Sequence, residues 1–389
     1  MSTRETLLNT VRALEPIIRQ HADEAERERR LSTAVAGAMR DAGLYRMWRP
    51  KALGGLEVDP MTAFHVVEEI AWIDSAAAWN LQIANAIETF GGWFPESAQE
   101  VFGDPEAIPA GAFNPVRQAV PCDGGYRVTG RTPFVSGAHQ ARWFIGLANI
   151  VDEGQPRLGP DGMPLQLMTV CRANEAQIID NWNTLGMCGT GSHDVVMTDV
   201  FVPASRAVPF VPIETPGEAY RGPLYRLTIW PAIAALAPSA TGIAGAAIKE
   251  FVEVAKKKVP AYVTKTLRDR GVVQSQIAQA EAKLEAARAY LYATFEELWA
   301  EAQAGRWITM QGKMKAQLAT THAILASAEA VDLVHAAVGA SGIRQEQPFQ
   351  KHFRDVHVIT QHGFTNASKY ESIGQWMMGL DPEWPFFAF

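Results

Sequence analysis

Between Gly111 and Pro209 the chain runs through short β-branched stretches, YRVTG, RWFIGLANIV, LQLMTVCRA and VVMTDVFVP, each bounded by Gly, Pro or Asp. Such stretches are strands joined by turns. No helical pattern lies between them, so the crossovers of a βαβ sheet have no sequence to run through. A small antiparallel barrel or sandwich is the expected result. Both flanks read as helix. Leu31–Met39 places Leu, Val and Met at helical spacing before a C-capping Gly43, and KALGGLEVDP then reads as a loop. From Met61 to Phe90 the spacing predicts another helical run, with Trp72 and Trp79 seven apart on one core-facing side. After Pro223, Ile277, Ala280, Leu284, Ala287, Leu291, Phe295 and Leu298 form a long apolar stripe, and Met310–His335 predicts a further helix. Long helices with several buriable faces point to a bundle. The expected organisation is α+β and multidomain: helices over 1–110, a β-barrel over 111–215 and a helical bundle over 216–389.

Charge narrows the partners. The 35 Lys+Arg and 42 Asp+Glu leave a net charge of -7 with no basic tract. This argues against nucleic acid or an anionic membrane surface as partner. The uncharged run Leu227–Ile248 reaches membrane length, but Pro231, Pro238, Gly242 and Gly245 suit a buried segment better than a lipid-facing one. The opening MSTRETLLNTVRALEP is charged and has no apolar signal core, so a cytoplasmic protein is expected. Cys122, Cys171 and Cys188 are too dispersed for a disulfide framework or a zinc cluster.

The familiar catalytic motifs fail. GTGSHD (189–194) lacks the third glycine of a dinucleotide loop and has no helix after it. GASG (339–342) has the wrong spacing for a nucleophile elbow. His352, His357 and His362 are five apart, and on a helix each such step turns the side chain by about 140°. No metal is expected. What remains is polar residues in apolar settings. Ser136 follows Phe134 on the same expected strand face, and reads as a turn serine or a site hydroxyl. His362, in RDVHVITQHGFTN, reads as a structural histidine or a base.

The order helix, barrel, helix, with W-x-x-x-G-M-x-G-T-x-S-x-D-V-x-x-x-x-V-x-V-P over Trp182–Pro203, resembles the acyl-CoA dehydrogenase fold. The resemblance covers nearly the whole chain. It implies an N-terminal α-helical domain, a central β-barrel, a C-terminal four-helix bundle, a flavin between them and a homotetramer. In the dehydrogenases a G-G-x-G turn is followed by R-D and then Y-E-G-T, whose Glu takes the α-proton of the thioester. Here the frame is kept without a gap. Gly342 and Arg354 are twelve apart, and nine after Arg354, at the place of the Glu, stands Gly363, so that His362-Gly363-Phe364-Thr365 replaces Y-E-G-T. Without its carboxylate, α,β-dehydrogenation loses its proton acceptor.

A histidine at this place is similar to the two-component flavin-dependent monooxygenases of the p-hydroxyphenylacetate hydroxylase and dibenzothiophene monooxygenase group. These also carry F-x-S-G, matched by Phe134-Val135-Ser136-Gly137. The resemblance implies reduced flavin (FADH2 or FMNH2) and O2 as co-reactants, with oxygen held as the C4a-hydroperoxide. It implies Ser136 beside the flavin N5, His362 beside the substrate, and Phe134, Ser136 and Trp182 as flavin contacts. The substrate would be a small phenol, indole or thiophene. A dry pocket and a hydrogen bond would keep the activated oxygen from escaping, and a base with an unperturbed pKa of about 6.5 suits a phenol or indole N–H. The dehydrogenases' R-x-x-F-G anchor is replaced by RDRGVVQ (268–274). No nicotinamide-binding pattern occurs, so a separate NAD(P)H-dependent flavin reductase is implied. The alternatives are an acyl-CoA dehydrogenase or flavin oxidase with a relocated base, and a flavin-binding structural protein. The tail GLDPEWPFFAF is too aromatic to stay in water and is expected to dock on a bundle or a neighbouring subunit.

Overall fold

The protein is described from a computed structural model covering residues 2–213 and 215–389, the side chains of 114–116 apart. Eleven helices are described: α1 Thr3–Glu28, α2 Thr33–Asp41, α3 Pro60–Ala71, α4 Ser75–Glu88, α5 Ala98–Phe102, α6 Trp230–Ala234, α7 Leu236–Ala255, α8 Gly271–Gln303, α9 Met310–Val338, α10 Pro348–Thr360 and α11 Lys369–Met377. Eight strands lie between α5 and α6: β1 Pro109–Cys122, β2 Gly125–Val135, β3 Trp143–Asp152, β4 Gln155–Pro156, β5 Gln166–Arg172, β6 Gln177–Ile179, β7 His193–Pro203 and β8 Ala207–Pro209.

The run expected as one helix from Met61 to Phe90 is two. The Asp74 carboxylate accepts the Ala77 N–H at 2.8 Å and starts α4 afresh. An Asp that caps competes with helix continuation through the same position. Trp72 therefore closes α3, and Trp79 belongs to the next helix with a different outlook.

The sheet order is β6-β7-β2-β1-β3-β5-β8, with β4 paired to β3. Every pairing is antiparallel except β1 with β3, which is parallel, so the sheet is mixed where a wholly antiparallel one was expected. The reason is local. β2 already carries the chain back along β1, so β3 returns on the other side of β1 without a crossover helix. Gly111 permits the close approach, since a Cβ there would lie 2.2 Å from the Ile145 carbonyl oxygen. Ala110, Ala119, Val128, Phe144, Leu167, Cys171, Val195 and Met197 fill a core of their own inside the β-region.

A second core joins the N-terminal and C-terminal helices. The uncharged segment behaves as expected: α6 and α7 form a buried core element. Its glycines are required by contact. A Cβ on Gly242 would meet Ala71 at 2.5 Å, and one on Gly245 would meet the Trp72 ring at 2.3 Å, so α7 lies directly against α3. The C-terminal aromatics dock on their own chain. Phe387 stacks on Trp230 at 5.3 Å, Phe389 stacks on Phe210 at 4.6 Å, and the Lys313 ammonium donates to the Phe387 carbonyl at 2.9 Å.

Candidate active site

Four segments converge where the β-region meets the helices. β2 ends in a bulge, with a register shift between Thr132 and Val135 and a left-handed backbone at Phe134 (φ 62°). That bulge undoes the alternation expected from a regular strand. Phe134 turns outward and is 62 % exposed, whereas Ser136 is buried. The two residues therefore do not share a face.

The Trp79 indole N–H on α4 donates to the Ser136 hydroxyl oxygen at 3.0 Å. Ser136 is in turn 2.7 Å from the Ser192 hydroxyl, and Ser192 is 2.7 Å from the Thr190 hydroxyl. The edge of the Trp79 ring meets His362, with ring centroids 5.5 Å apart. Ser136 and His362, 226 positions apart in sequence, thus lie on two sides of one indole.

His362 sits just past α10. Its N–H donates to the Ile359 carbonyl at 3.1 Å, and its own carbonyl accepts from Thr365 and Asn366 at 3.0 Å each. The Gln317 amide of α9 donates to the Phe364 carbonyl at 2.9 Å and fixes the same turn. Burial pushes the His362 pKa down to about 4, and among the described residues no charged group adds to the shift. The imidazole is therefore neutral through the physiological range, and the ordinary value expected for it does not hold.

Trp182 is held at three atoms. Its backbone N–H donates to His193 Nδ1 at 3.1 Å, its indole N–H donates to the Met187 carbonyl at 3.0 Å, and its carbonyl accepts from Arg29 at 3.3 Å. His193 is itself buried, with Nε2 directed at the Arg29 carbonyl, and burial lowers its pKa. The Trp182 ring meets Phe134 edge-on at 6.1 Å.

The turn carrying Trp182 through Ser192 is clamped to α10. The Asp355 carboxylate accepts the Met187 N–H at 2.6 Å and the Ser75 hydroxyl at 2.5 Å, and pairs with Lys351 at 2.6 Å. Arg354 donates to the Leu185 carbonyl at 2.5 Å. A Cβ on Gly186 would lie 2.6 Å from the Arg354 carbonyl carbon, so the turn rests flat on the helix. Burial raises the Asp355 pKa, but the Lys351 charge and the donated hydrogen bonds outweigh it and hold the carboxyl low.

Beyond His362 the wall is aromatic. Phe364 lies 4.6 Å from Phe386 and 5.7 Å from Trp384. Phe210 stacks near Phe113, which meets Phe90 at 4.4 Å. Trp143 lies beneath the Arg172 and Arg206 guanidiniums at 4.8 and 5.3 Å. His352 and His357 face Glu250 and Asp332 and belong to other contacts. Sequence reading missed Trp79, Thr190, Ser192, Gln317 and Asp355 as members of the site. Thr190 and Ser192 stood in a matched motif, but nothing in the sequence linked them to Ser136.

The profile of the acyl-CoA dehydrogenase N-terminal domain matches residues 2–92, and that of the C-terminal domain matches residues 234–367. The chain is 31% identical over 381 residues to indole-3-acetate monooxygenase of Pseudomonas putida, covering 97% of this chain and 94% of that one. It is 28% identical to the oxygenase subunit HsaA, a flavin-dependent monooxygenase of Mycobacterium tuberculosis, over 97% of this chain and 96% of that one. Among solved structures it superposes on XiaF from Streptomyces sp. in complex with FADH2 and glycerol. The TM-score is 0.89 and the identity 28%, over 98% of this chain and 97% of that one.

The residues present suit a flavin. Phe134 is an exposed aromatic held in a strained backbone beside the Trp182 edge, and a buried hydroxyl lies two residues on. An apolar planar ring with a polar rim matches that set, as a large aromatic left in water does not.

Proposed function

We propose, from the premise that the chain belongs to the acyl-CoA dehydrogenase family and to the flavin-dependent monooxygenases within it, that it inserts one oxygen atom into a small phenol, indole or thiophene. Bound in its reduced form, a flavin would supply the two electrons that activate O2, one oxygen atom of which enters the substrate while the other leaves as water. Phe134, Ser136 and Trp182 would hold the ring, with Ser136 toward N5. The observation that carries the reading is the contact series Ser136–Trp79–His362 beside an aromatic wall. The hydroxyl for the cofactor and the imidazole for the substrate stand together, and Phe364, Phe386 and Trp384 exclude water around them.

A His362 pKa of about 4 refines the role of the imidazole. Full proton transfer from a phenol to so weak a base is uphill. His362 instead accepts a hydrogen bond from the substrate O–H or N–H at Nε2, in the tautomer protonated on Nδ1 that gives up the 3.4 Å contact from the Phe364 N–H, and takes the proton only as positive charge develops on the ring. Because the neutral form is the working one, the acid limb of kcat/KM is expected near pH 4, with a flat profile from pH 6 to 8 as far as this group is concerned. An acid limb at the ordinary histidine value would count against His362 as the group observed. Among the described residues no carboxylate contributes to its pKa, so none of them stands beside it as a base for α-proton abstraction from a thioester.

Ser136→Ala should release more H2O2 per NADH consumed and yield less oxygenated product, because the small buried hydroxyl is lost from the cofactor side. Unchanged coupling would return Ser136 to a turn-forming role. The reductant would come from a separate NAD(P)H-dependent flavin reductase, and the enzyme would work as a cytoplasmic homotetramer. The test is to mix the protein with a generic flavin reductase, NADH and an aromatic panel, and to look by mass spectrometry for a gain of one oxygen. No such gain, with reduction of bound flavin by acyl-CoA instead, would overturn the reading.

A further inference from the structure

Counting protons along the hydroxyls gives Ser136 a direction. Three close oxygen–oxygen contacts run in series: Ser136 to Ser192 at 2.7 Å, Ser192 to Thr190 at 2.7 Å, and Thr190 to the Met187 carbonyl at 2.8 Å. Each contact needs one proton between its oxygens, since two facing lone pairs repel. The three hydroxyls supply three protons and the carbonyl supplies none. All contacts are satisfied only when Thr190 donates to Met187, Ser192 donates to Thr190 and Ser136 donates to Ser192. The three side chains are buried, so bulk water does not substitute for a missing partner. The Trp79 N–H occupies one lone pair of the Ser136 oxygen. What Ser136 has left to offer is a second lone pair, and no proton.

We infer that Thr190 and Ser192 are positioning residues that make Ser136 a hydrogen-bond acceptor, and that the site thereby discriminates reduced from oxidised flavin. The inference rests on the proposed placement of Ser136 toward N5. Reduced flavin carries a proton on N5 and can donate to Ser136. Oxidised flavin presents only a lone pair at N5 and meets another lone pair. To greet it, the whole series would have to reverse, leaving the Thr190 oxygen facing the Met187 carbonyl with no proton between them. A cofactor that arrives reduced and departs oxidised is served by that asymmetry.

The experiment measures the dissociation constants of FAD and FMN in both redox states, the reduced state anaerobically, for the wild type, Ser192→Ala, Thr190→Val and Thr190→Ser. Ser192→Ala removes the acceptor of the Ser136 proton, which is then free to turn toward oxidised N5. The preference for reduced over oxidised flavin is expected to fall by about tenfold, the scale of one buried hydrogen bond. The midpoint potential of the bound flavin should fall correspondingly, by about 30 mV for a two-electron couple. Thr190→Val should shift both readouts the same way, because the Ser136–Ser192 pair loses its fixed direction. Thr190→Ser should restore them. An unchanged preference and potential in folded Ser192→Ala and Thr190→Val would overturn the inference while leaving the proposed function standing. A wild type that binds flavin in neither state would overturn both.

Discussion

Replacing His362 by alanine is expected to lower oxygenated product by about a hundred- to ten-thousandfold, the usual worth of a positioned acid–base group. Flavin affinity should change little, because the imidazole touches the cofactor-side hydroxyl only through Trp79. The substitution leaves a small void beside Trp79 and Phe364. His362→Asn is therefore the companion variant: it keeps a polar side chain of similar reach but cannot take up a proton at neutral pH. If the imidazole only orients substrate through an accepted hydrogen bond, Asn should recover a part of the rate. If it must accept the proton, Asn should be as inactive as Ala. The measurement is product per unit time by mass spectrometry, alongside NADH consumption and H2O2. Loss of product with continued NADH consumption and peroxide release is the expected signature. Turnover at the wild-type rate in both variants would remove His362 from the chemistry.

Asp355→Ala carries the second large effect, on stability. Asp355 is 1 % exposed and satisfies three groups at once: the Met187 N–H, the Ser75 hydroxyl and the Lys351 ammonium. Removing it takes the nearest carboxylate from the Lys351 ammonium, which keeps the Ser75 hydroxyl at 2.8 Å, and leaves a buried N–H without a partner. Breaking such a pair costs about 3–5 kcal/mol. Asp74 at 3.6 Å and Glu26 at 4.0 Å from the Lys351 ammonium soften the loss of charge, but neither reaches the Met187 N–H. Both stability and flavin binding should therefore suffer, since the turn from Trp182 to Ser192 is held by this carboxylate. Asp355→Asn is the companion variant: it keeps an acceptor for the Met187 N–H while losing the charge, so it should be more stable than Asp355→Ala. Thermal unfolding and flavin titration of the three proteins check this. Equal stability of Asp355→Ala and wild type would show that the clamp is not needed.

Residue by residue, the parts of the site differ in how legible they were. The R-D pair at Arg354 and Asp355 was visible in the sequence as a spacing marker. Its work, holding the Leu185–Met187 turn, was not, because hydrogen bonds to backbone leave no trace in the partner's side chain. Ser136 was visible as a hydroxyl before glycine, but its face was misjudged: alternation assumes an unbroken strand, and the bulge at Phe134 breaks it. Trp79 was read as core. Its ring is buried, yet its N–H is the donor that Ser136 needs, and that pairing crosses from α4 to the end of β2.

The sequence by itself determined the order of helical and strand texture, the register that puts His362 where the dehydrogenases carry a glutamate neighbour, and the buried character of the Leu227–Ile248 run. Those properties depend on side-chain periodicity and spacing, which are local along the chain. Only the tertiary structure decided the parallel pairing of β1 with β3, the neutral His362 and the one-way series from Ser136 to Met187. Desolvation and hydrogen-bond direction are set by whichever groups packing brings within a few ångströms. For this site those groups come from α4, the end of β2, the turn before β7 and the end of α10, segments that no local pattern connects.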